Sequence, residues 1–376
     1  MPERDRRLPS VQALRGVAAS LVVYHHFARI FQGGSPSPSW IYRCGLGNLG
    51  ACGVDIFFVI SGFIMVYTTV GKDGTRDALT FLDRRILRIY PLYWVWTSLL
   101  LALWLTGIAK LGGTNQGQHY SISYLFKSYL LVPSFNGEYF HPFLAQGWTL
   151  SFEMFFYLLF SCSILLGLRS GRLPFLAVAF SVLALSSTFV PGGGLAYLLS
   201  NPIIIEFLYG VLVAELLLHA SKAQVRLPRG LPIALMTIGA AALLSTVKLQ
   251  TPDSLRFLFY GVPALCIVSG ATMLGPMPAP RLLVYLGDCS YSIYITHGFF
   301  AMAYASALKH SSGLDKLPPD GVILLAGTIT IALSSFTYAL VEKPLTRSLS
   351  FMAVRSLPSK AQESTPHPEP AWDSGQ

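Results

Sequence analysis

With 376 residues, 53% of them hydrophobic and only 12% charged, this chain carries about half the roughly 25% charge usual for a soluble domain. Several apolar runs near 20 residues argue for an all-α polytopic membrane protein and against a large soluble helical enzyme. The net charge of +9 is no nucleic-acid signal, because the basic residues stand singly or in pairs between apolar runs, as membrane-protein loops do.

Residues 1–10 are short, polar and basic. They lead into an apolar stretch as a secretory signal would, but Arg15, His25 and His26 inside that stretch mark it as an uncleaved first span, 11–31. A Gly/Pro/Ser loop leads to a second span, 50–70, which contains Asp55. The segment KDGTRDALTFLDRRILRIYP follows, with Arg84, Arg85 and Arg88 on a short helix and Arg84 and Arg88 sharing a face. Pro91 is expected to start the third span, to 109. The loop 110–147 contains a semi-apolar piece, 120–132, suited to a re-entrant or interfacial helix. Further spans are expected near 146–168, 173–190, 200–219, 231–248, 255–275, 285–307 and 320–342, giving about ten. One transmembrane domain, 8–348, is followed by a Pro-, Ser- and Glu-rich tail, 349–376, expected to be disordered and cytoplasmic. No fixed-period repeat is visible. Cys44, Cys52, Cys162, Cys266 and Cys289 have no C-x-x-C spacing, so no metal site and no disulfide framework is indicated; a single Cys44–Cys52 bridge stays open.

Charge sets the orientation. Of the 27 Lys and Arg, eighteen fall at the termini and in the even-numbered gaps, seven in the odd-numbered gaps, and Arg15 and Arg29 within span one. The positive-inside rule then places both termini in the cytoplasm.

The first span is the one the rest is organised around. Arg15 and His26 are eleven residues apart, three helical turns plus about 20°, and so lie on one stripe about 16 Å apart along the axis. His25 lies about 100° off that stripe. An arginine in a span costs roughly 2.5–3.5 kcal/mol, which the bundle interior must offset. With the orientation fixed, His26, Asp55, Glu153 and His297 form an outer-half group. Tyr157 lies one turn from Glu153, and Ser290, Tyr294 and His297 share a stripe. Arg15, Arg84, Arg85 and Arg88 form a cytoplasmic group. A histidine beside a carboxylate, Asp55 or Glu153, is what a general base needs. Clustered arginines suit a phosphate-bearing donor.

Plainer readings exist for each. Arg15 alone can snorkel to the surface, and the arginine cluster alone can set topology. Asp55 near Gly53, Ser61 and Gly62 suits helix packing or a cation site. Asp288, Glu342 and Lys343 suit helix caps or local pairs. Tyr90, Tyr93, Trp94, Trp96 and Trp104 read as interface belts.

The stretches LRGVAASLVVYHH, GVDIFFVISGFIM, FLDRRILRIYPLYW, GWTLSFEMFFYLLF, NPIIIEFLYGVLVAEL, LGDCSYSIYITHG and YALVEKPL, in that order, resemble the bacterial acyltransferase-3 membrane family over roughly residues 8–348, and within it the exopolysaccharide-production subgroup. The resemblance implies transfer of an acyl group, most often acetyl, from cytoplasmic acyl-CoA to a hydroxyl of a carbohydrate or its lipid-linked precursor. It implies acetyl-CoA as donor substrate with no bound cofactor, a multi-pass place in the bacterial inner membrane, and no nucleic-acid partner. Arg15 and His26 match the family's Arg-x10-His pair, Arg84, Arg85 and Arg88 its arginine motif, and Glu153 its glutamate after Trp-x-x-Ser. Some members append a periplasmic hydrolase-like domain, whereas here only a short tail follows.

The reading is therefore a membrane O-acyltransferase. His26, Asp55 and Glu153 are its catalytic candidates, and Arg15, Arg84, Arg85 and Arg88 its acyl-CoA-binding candidates. Ser61, Trp148, Ser151, Tyr157, Tyr294 and His297 are acceptor-side or supporting candidates. Direct attack and an acyl-histidine intermediate both remain open. A proton-coupled carrier would also show buried His, Asp and Glu on Gly-broken spans, though without the one-sided arginine cluster. A glycan-flipping or assembly scaffold would leave the buried charges dispensable.

Overall fold

The computed structural model describes residues 8–34, 39–108, 120–136, 139–169, 171–190, 192–225, 227–247, 249, 251–310 and 317–355. Apolar sequence forms helix wherever the backbone has no water to bond. In order they are α1 (Pro9–Gly34), α2 (Trp40–Arg43), α3 (Leu46–Leu49), α4 (Cys52–Thr68), α5 (Gly74–Leu105) and α6 (Ile122–Tyr129). A two-stranded ribbon, β1 (Phe135–Asn136) and β2 (Tyr139–Phe140), precedes α7 (Gly147–Leu165), α8 (Arg172–Ser186), α9 (Gly194–Ser200) and α10 (Ile205–Lys222). Then come α11 (Leu231–Ser245), α12 (Val262–Met273), α13 (Arg281–Asp288), α14 (Ser290–His310), α15 (Pro319–Thr337) and α16 (Lys343–Arg355).

Among the described residues seven helical segments are long and apolar enough to cross a membrane: Leu46–Thr68, Gly74–Leu105, Gly147–Leu165, Arg172–Phe189, Pro202–Lys222, Asp253–Met273 and Pro319–Leu349. The other three expected spans coincide with α1, α11 and α14. Of these, α11 is only 15 residues long, and α1 and α14 carry the arginines, histidines and hydroxyls that face the interior of the bundle. The protein is an all-α polytopic membrane protein.

α1 lies at the centre, packed against α4, α12, α13, α14 and α15. Its Ala18, Val23 and Phe27 are buried among them. Between helices in lipid, close backbone approach supplies what hydrophobicity cannot. Two crossings depend on it. A Cβ at Gly62 would overlap the Phe207 carbonyl oxygen and one at Gly210 the Val59 carbonyl oxygen, so α4 and α10 meet backbone to backbone. Gly16 and Gly287 do the same for α1 and α13.

Three expectations are corrected. Pro91 does not start a span: α5 runs through it, because a membrane helix can re-satisfy the one backbone bond that proline removes. Tyr90, Tyr93 and Trp94 are not simply an interface belt. Tyr90 Oη, Tyr93 Oη and Trp94 Nε1 donate to the carbonyls of Leu130, Ser128 and Tyr129 at 2.9, 2.7 and 2.9 Å, holding the carboxyl end of α6 against α5. Helix α16 runs on to Arg355. Residues 356–376, expected as a disordered tail, lie outside the described residues. Cys44 and Cys52 are free thiols, not a bridge.

Candidate active site

Two cavities open into the bundle at different heights along one stripe of α1. The inner one, about 200 Å³, is lined by Arg15, Ser61, Arg88, Glu153, Tyr291 and Tyr294 among apolar side chains such as Ile60 and Met65. The outer one, about 700 Å³, is lined by His25, His26, Arg29, His141, Gln146, Trp148, Arg256 and His297. Val54 and Tyr294 line both cavities, so they form the partition between them. The Tyr294 hydroxyl is fixed there by Thr149, whose Oγ1 donates to it at 2.8 Å.

The single stripe of α1 accounts for this arrangement. Arg15 opens on the inner cavity, and His26, three turns further along, opens on the outer. Arg15 has one weak contact, donating to Gln12 Oε1 at 3.3 Å, while Gln12 itself donates to Asp288 at 2.7 Å. Arg88, from α5, makes neither a hydrogen bond nor an ion pair with any described residue, and faces the same space. Glu153, from α7, accepts from Ser61 Oγ at 3.1 Å and from the Tyr157 hydroxyl. It lies within electrostatic reach of Arg15 and Arg88. The inner cavity thus presents two guanidinium groups with uncommitted donors, which suits phosphate or carboxylate oxygens.

Arg84 and Arg85 are not brought into that cavity lining. Arg84, one turn from Arg88 on α5, is exposed. Arg85 lies over the rings of Phe81 and Tyr157, at 5.3 and 5.5 Å. At 100° per residue Arg84 and Arg88 are 40° apart, and that difference puts only Arg88 on the cavity.

The expected outer group is also regrouped. Glu153 belongs with the inner arginines, not with His26. Asp55 is fully buried and committed to Arg256, whose Nε and Nη2 donate to it at 2.9 and 2.8 Å. Among the described residues no carboxylate is hydrogen-bonded to His26. Its neighbours are other imidazoles: ring centroids lie 5.1 Å away at His25 and 5.0 Å away at His297. Among the described residues no three His, Cys, Asp or Glu side chains converge as metal ligands. Trp148 lines the outer cavity. Ser151 lines neither cavity and bonds weakly to the Gly147 carbonyl at 3.4 Å.

Reading by residue type missed several members. Arg256, at the first turn of the span expected over 255–275, is a cavity wall. Glu206 is fully buried and lies close against the Asp55–Arg256 pair; an acid in the apolar run NPIIIEF is the available signal. Glu342 is no helix cap: it accepts from Ser292 Oγ at 2.6 Å, on the stretch that reaches Arg15 and Arg88 electrostatically. Both it and Glu206 sit beside π-helical turns, Tyr338–Glu342 and Phe257–Gly261, irregularities that recur at functional sites.

A family model described as an acyltransferase domain, that of acyltransferase family 3, matches residues 8–339. The chain belongs to the acyltransferase-3 family. The exopolysaccharide production protein ExoZ of Rhizobium meliloti (strain 1021) is 31% identical over 80% of this chain and 90% of its own length. Acyltransferase MdmB of Streptomyces mycarofaciens is 24% identical over 97% of this chain and 99% of its own. O-acetyltransferase OatA of Staphylococcus aureus (strain MRSA252) is 24% identical over 94% of this chain but only 60% of its own length. No solved structure matches the chain. As an acyltransferase-3 member it is an enzyme that transfers acyl groups other than aminoacyl groups. Family membership favours this over the carrier and scaffold readings.

Proposed function

We propose that the protein is an O-acetyltransferase of the bacterial inner membrane, with about ten spans and both termini cytoplasmic. It takes acetyl from cytoplasmic acetyl-CoA and places it on a hydroxyl of a cell-surface polysaccharide or its lipid-linked precursor. The observation that carries this is the pair of cavities meeting at Val54 and Tyr294. A long donor with a phosphate-rich end and a reactive end needs cationic groups at one station and a base at another, and Arg15 with Arg88 and His26 are so arranged.

The relatives' names support the acceptor class, one being an exopolysaccharide production protein and another an O-acetyltransferase. In this reading Arg15 and Arg88 hold donor phosphates, assisted at the cytoplasmic face by Arg84 and Arg85. Glu153 positions the arginines instead of serving His26. The thioester reaches the partition, and an acceptor hydroxyl in the outer cavity attacks it with His26 as general base. Trp148 offers an apolar wall to the acceptor.

The test uses purified protein in nanodiscs with labelled acetyl-CoA and a polysaccharide fraction from the source cells. The expected result is label transfer that needs His26, with acetyl-CoA affinity that needs Arg15. Transfer by a well-folded His26→Ala protein, or no acetyl-CoA binding by the wild type, would overturn it.

A further inference from the structure

A general-base histidine must present a lone pair to the hydroxyl it deprotonates. Its other ring nitrogen must then carry the proton, and that N–H needs an acceptor. The usual acceptor is a carboxylate, but Asp55 is committed to Arg256, Glu153 opens on the other cavity, and Asp253 of the outer lining stands by Arg256 with no hydrogen bond to His26 among the described residues. His297 supplies the missing acceptor. Its Nδ1 lies 2.6 Å from the Tyr294 carbonyl oxygen. A carbonyl oxygen only accepts, so the proton of a neutral His297 is on Nδ1 and its Nε2 is a lone pair. That Nε2 is buried and has no hydrogen-bond partner among the described residues. The residue is only 1% exposed, yet it lines the outer cavity, and its ring is centred 5.0 Å from that of His26, inclined by 31°. A buried unpartnered acceptor of this kind is costly unless something donates to it.

From this geometry we infer that His297 is the positioning residue of His26: its Nε2 accepts the His26 N–H and so fixes the tautomer in which the opposite His26 nitrogen faces the acceptor hydroxyl. The inference rests on the acyl-transfer reading above. In the step, the hydroxyl oxygen bonds to the thioester carbonyl carbon, and the carbon–sulfur bond breaks. The hydroxyl proton passes to His26 and then to the departing CoA thiolate, giving free CoA thiol. His297 gains and loses no proton. The pair is a neutral counterpart of a histidine–carboxylate dyad and orients the base without a second buried charge. His25 does not compete as well. Its Nδ1 donates to the Gly47 carbonyl at 2.7 Å, but the residue is only half-buried, so its Nε2 is not enclosed as that of His297 is.

Two small polar replacements separate this from a packing role. His297→Asn keeps an amide where Nδ1 was, able to donate to Tyr294, but leaves the Nε2 position empty. His297→Gln returns an amide oxygen to the Nε2 position. Both are assayed in nanodiscs for acetyl transfer and for acetyl-CoA affinity, beside the same pair at His25. With wild-type affinity retained, His297→Asn is expected to lose about 10²-fold in kcat and His297→Gln to recover at least about tenfold of that loss. The His25 pair should show no such gap. Equal activity of the two His297 variants, or a gap at His25 in place of His297, would overturn the assignment. A wild type that transfers nothing from acetyl-CoA would overturn the acyl-transfer reading instead, and the two failures are told apart by that lane.

Discussion

Asp55 grips Arg256 with both carboxylate oxygens, at 2.9 and 2.8 Å, in a site where Asp55 has no exposed surface. Arg256 Nη2 also donates to the Ala51 carbonyl at 3.0 Å, and the guanidinium lies 5.6 Å from the Tyr260 ring. The pair ties the turn after α11 to the start of α4 and faces the outer cavity with a cation whose charge is already met. Asp55 is therefore a structural residue one step behind the outer cavity.

Breaking a buried pair by removing one partner costs about 3–5 kcal/mol, because the other charge is left uncompensated. Arg256→Gln and Asp55→Asn should each lower the thermal midpoint of the detergent-purified protein. The double variant should be less damaged than the two losses added together, since neither charge is then stranded. Strict additivity in the melting series would show that the two residues do not act as a pair.

The residues legible in the sequence were those whose role follows from one helix. Arg15 and His26 share α1, so a period of 3.6 was enough to place them on one stripe. The partners of those residues were not legible, because choosing them needs the distances between helices. Asp55 was at a fair depth for His26, but Arg256, at the edge of the expected span 255–275, reaches it first. Glu153 was matched to His26 by estimated depth, and a shift of one turn transfers it to the arginines. The helices carrying the site, α1 and α14, are also the ones whose polar faces dilute their hydropathy.

The inner arginines should act on donor affinity. Charge-assisted hydrogen bonds contribute about 1.5–3 kcal/mol, so Arg15→Ala and Arg88→Ala should each weaken acetyl-CoA binding by roughly 10- to 150-fold. Glu153→Gln removes a negative charge within reach of both and keeps one acceptor oxygen, the Oε1 that Ser61 and Tyr157 share. Its acetyl-CoA affinity should be unchanged or tighter. Titration calorimetry on the three variants checks the sign, and a weaker Glu153→Gln complex would mean that the carboxylate itself touches the donor.

The α4–α10 crossing should tolerate no side chain. Gly210→Ala sets a methyl against backbone, the Val59 carbonyl oxygen and the Phe63 nitrogen, where nothing can swing aside. Overpacking of this kind costs about 1–3 kcal/mol. Gly230→Ala, with no atom within 4 Å of the added carbon, is the control at a helix start. Equal melting points for the two would show that the helices do not meet at this glycine.

Gly298 gives the acceptor side a separate handle. A Cβ there would overlap the Gln146 side-chain amide, and Gln146 lines the outer cavity one residue before α7 begins. The obstacle is the far end of a flexible side chain, so Gly298→Ala should displace Gln146 and leave the helices in place. Acetyl-CoA affinity should then hold, while the acceptor KM rises by about three- to tenfold for one lost neutral hydrogen bond. Gln146→Ala should have the same effect. In the double variant the two changes should not add, because the amide is already gone from the cavity. Additive losses would place the two residues in separate parts of the site. A loss of donor affinity in Gly298→Ala would mean that the strain passes through Tyr294, four residues earlier on α14, into the partition between the cavities.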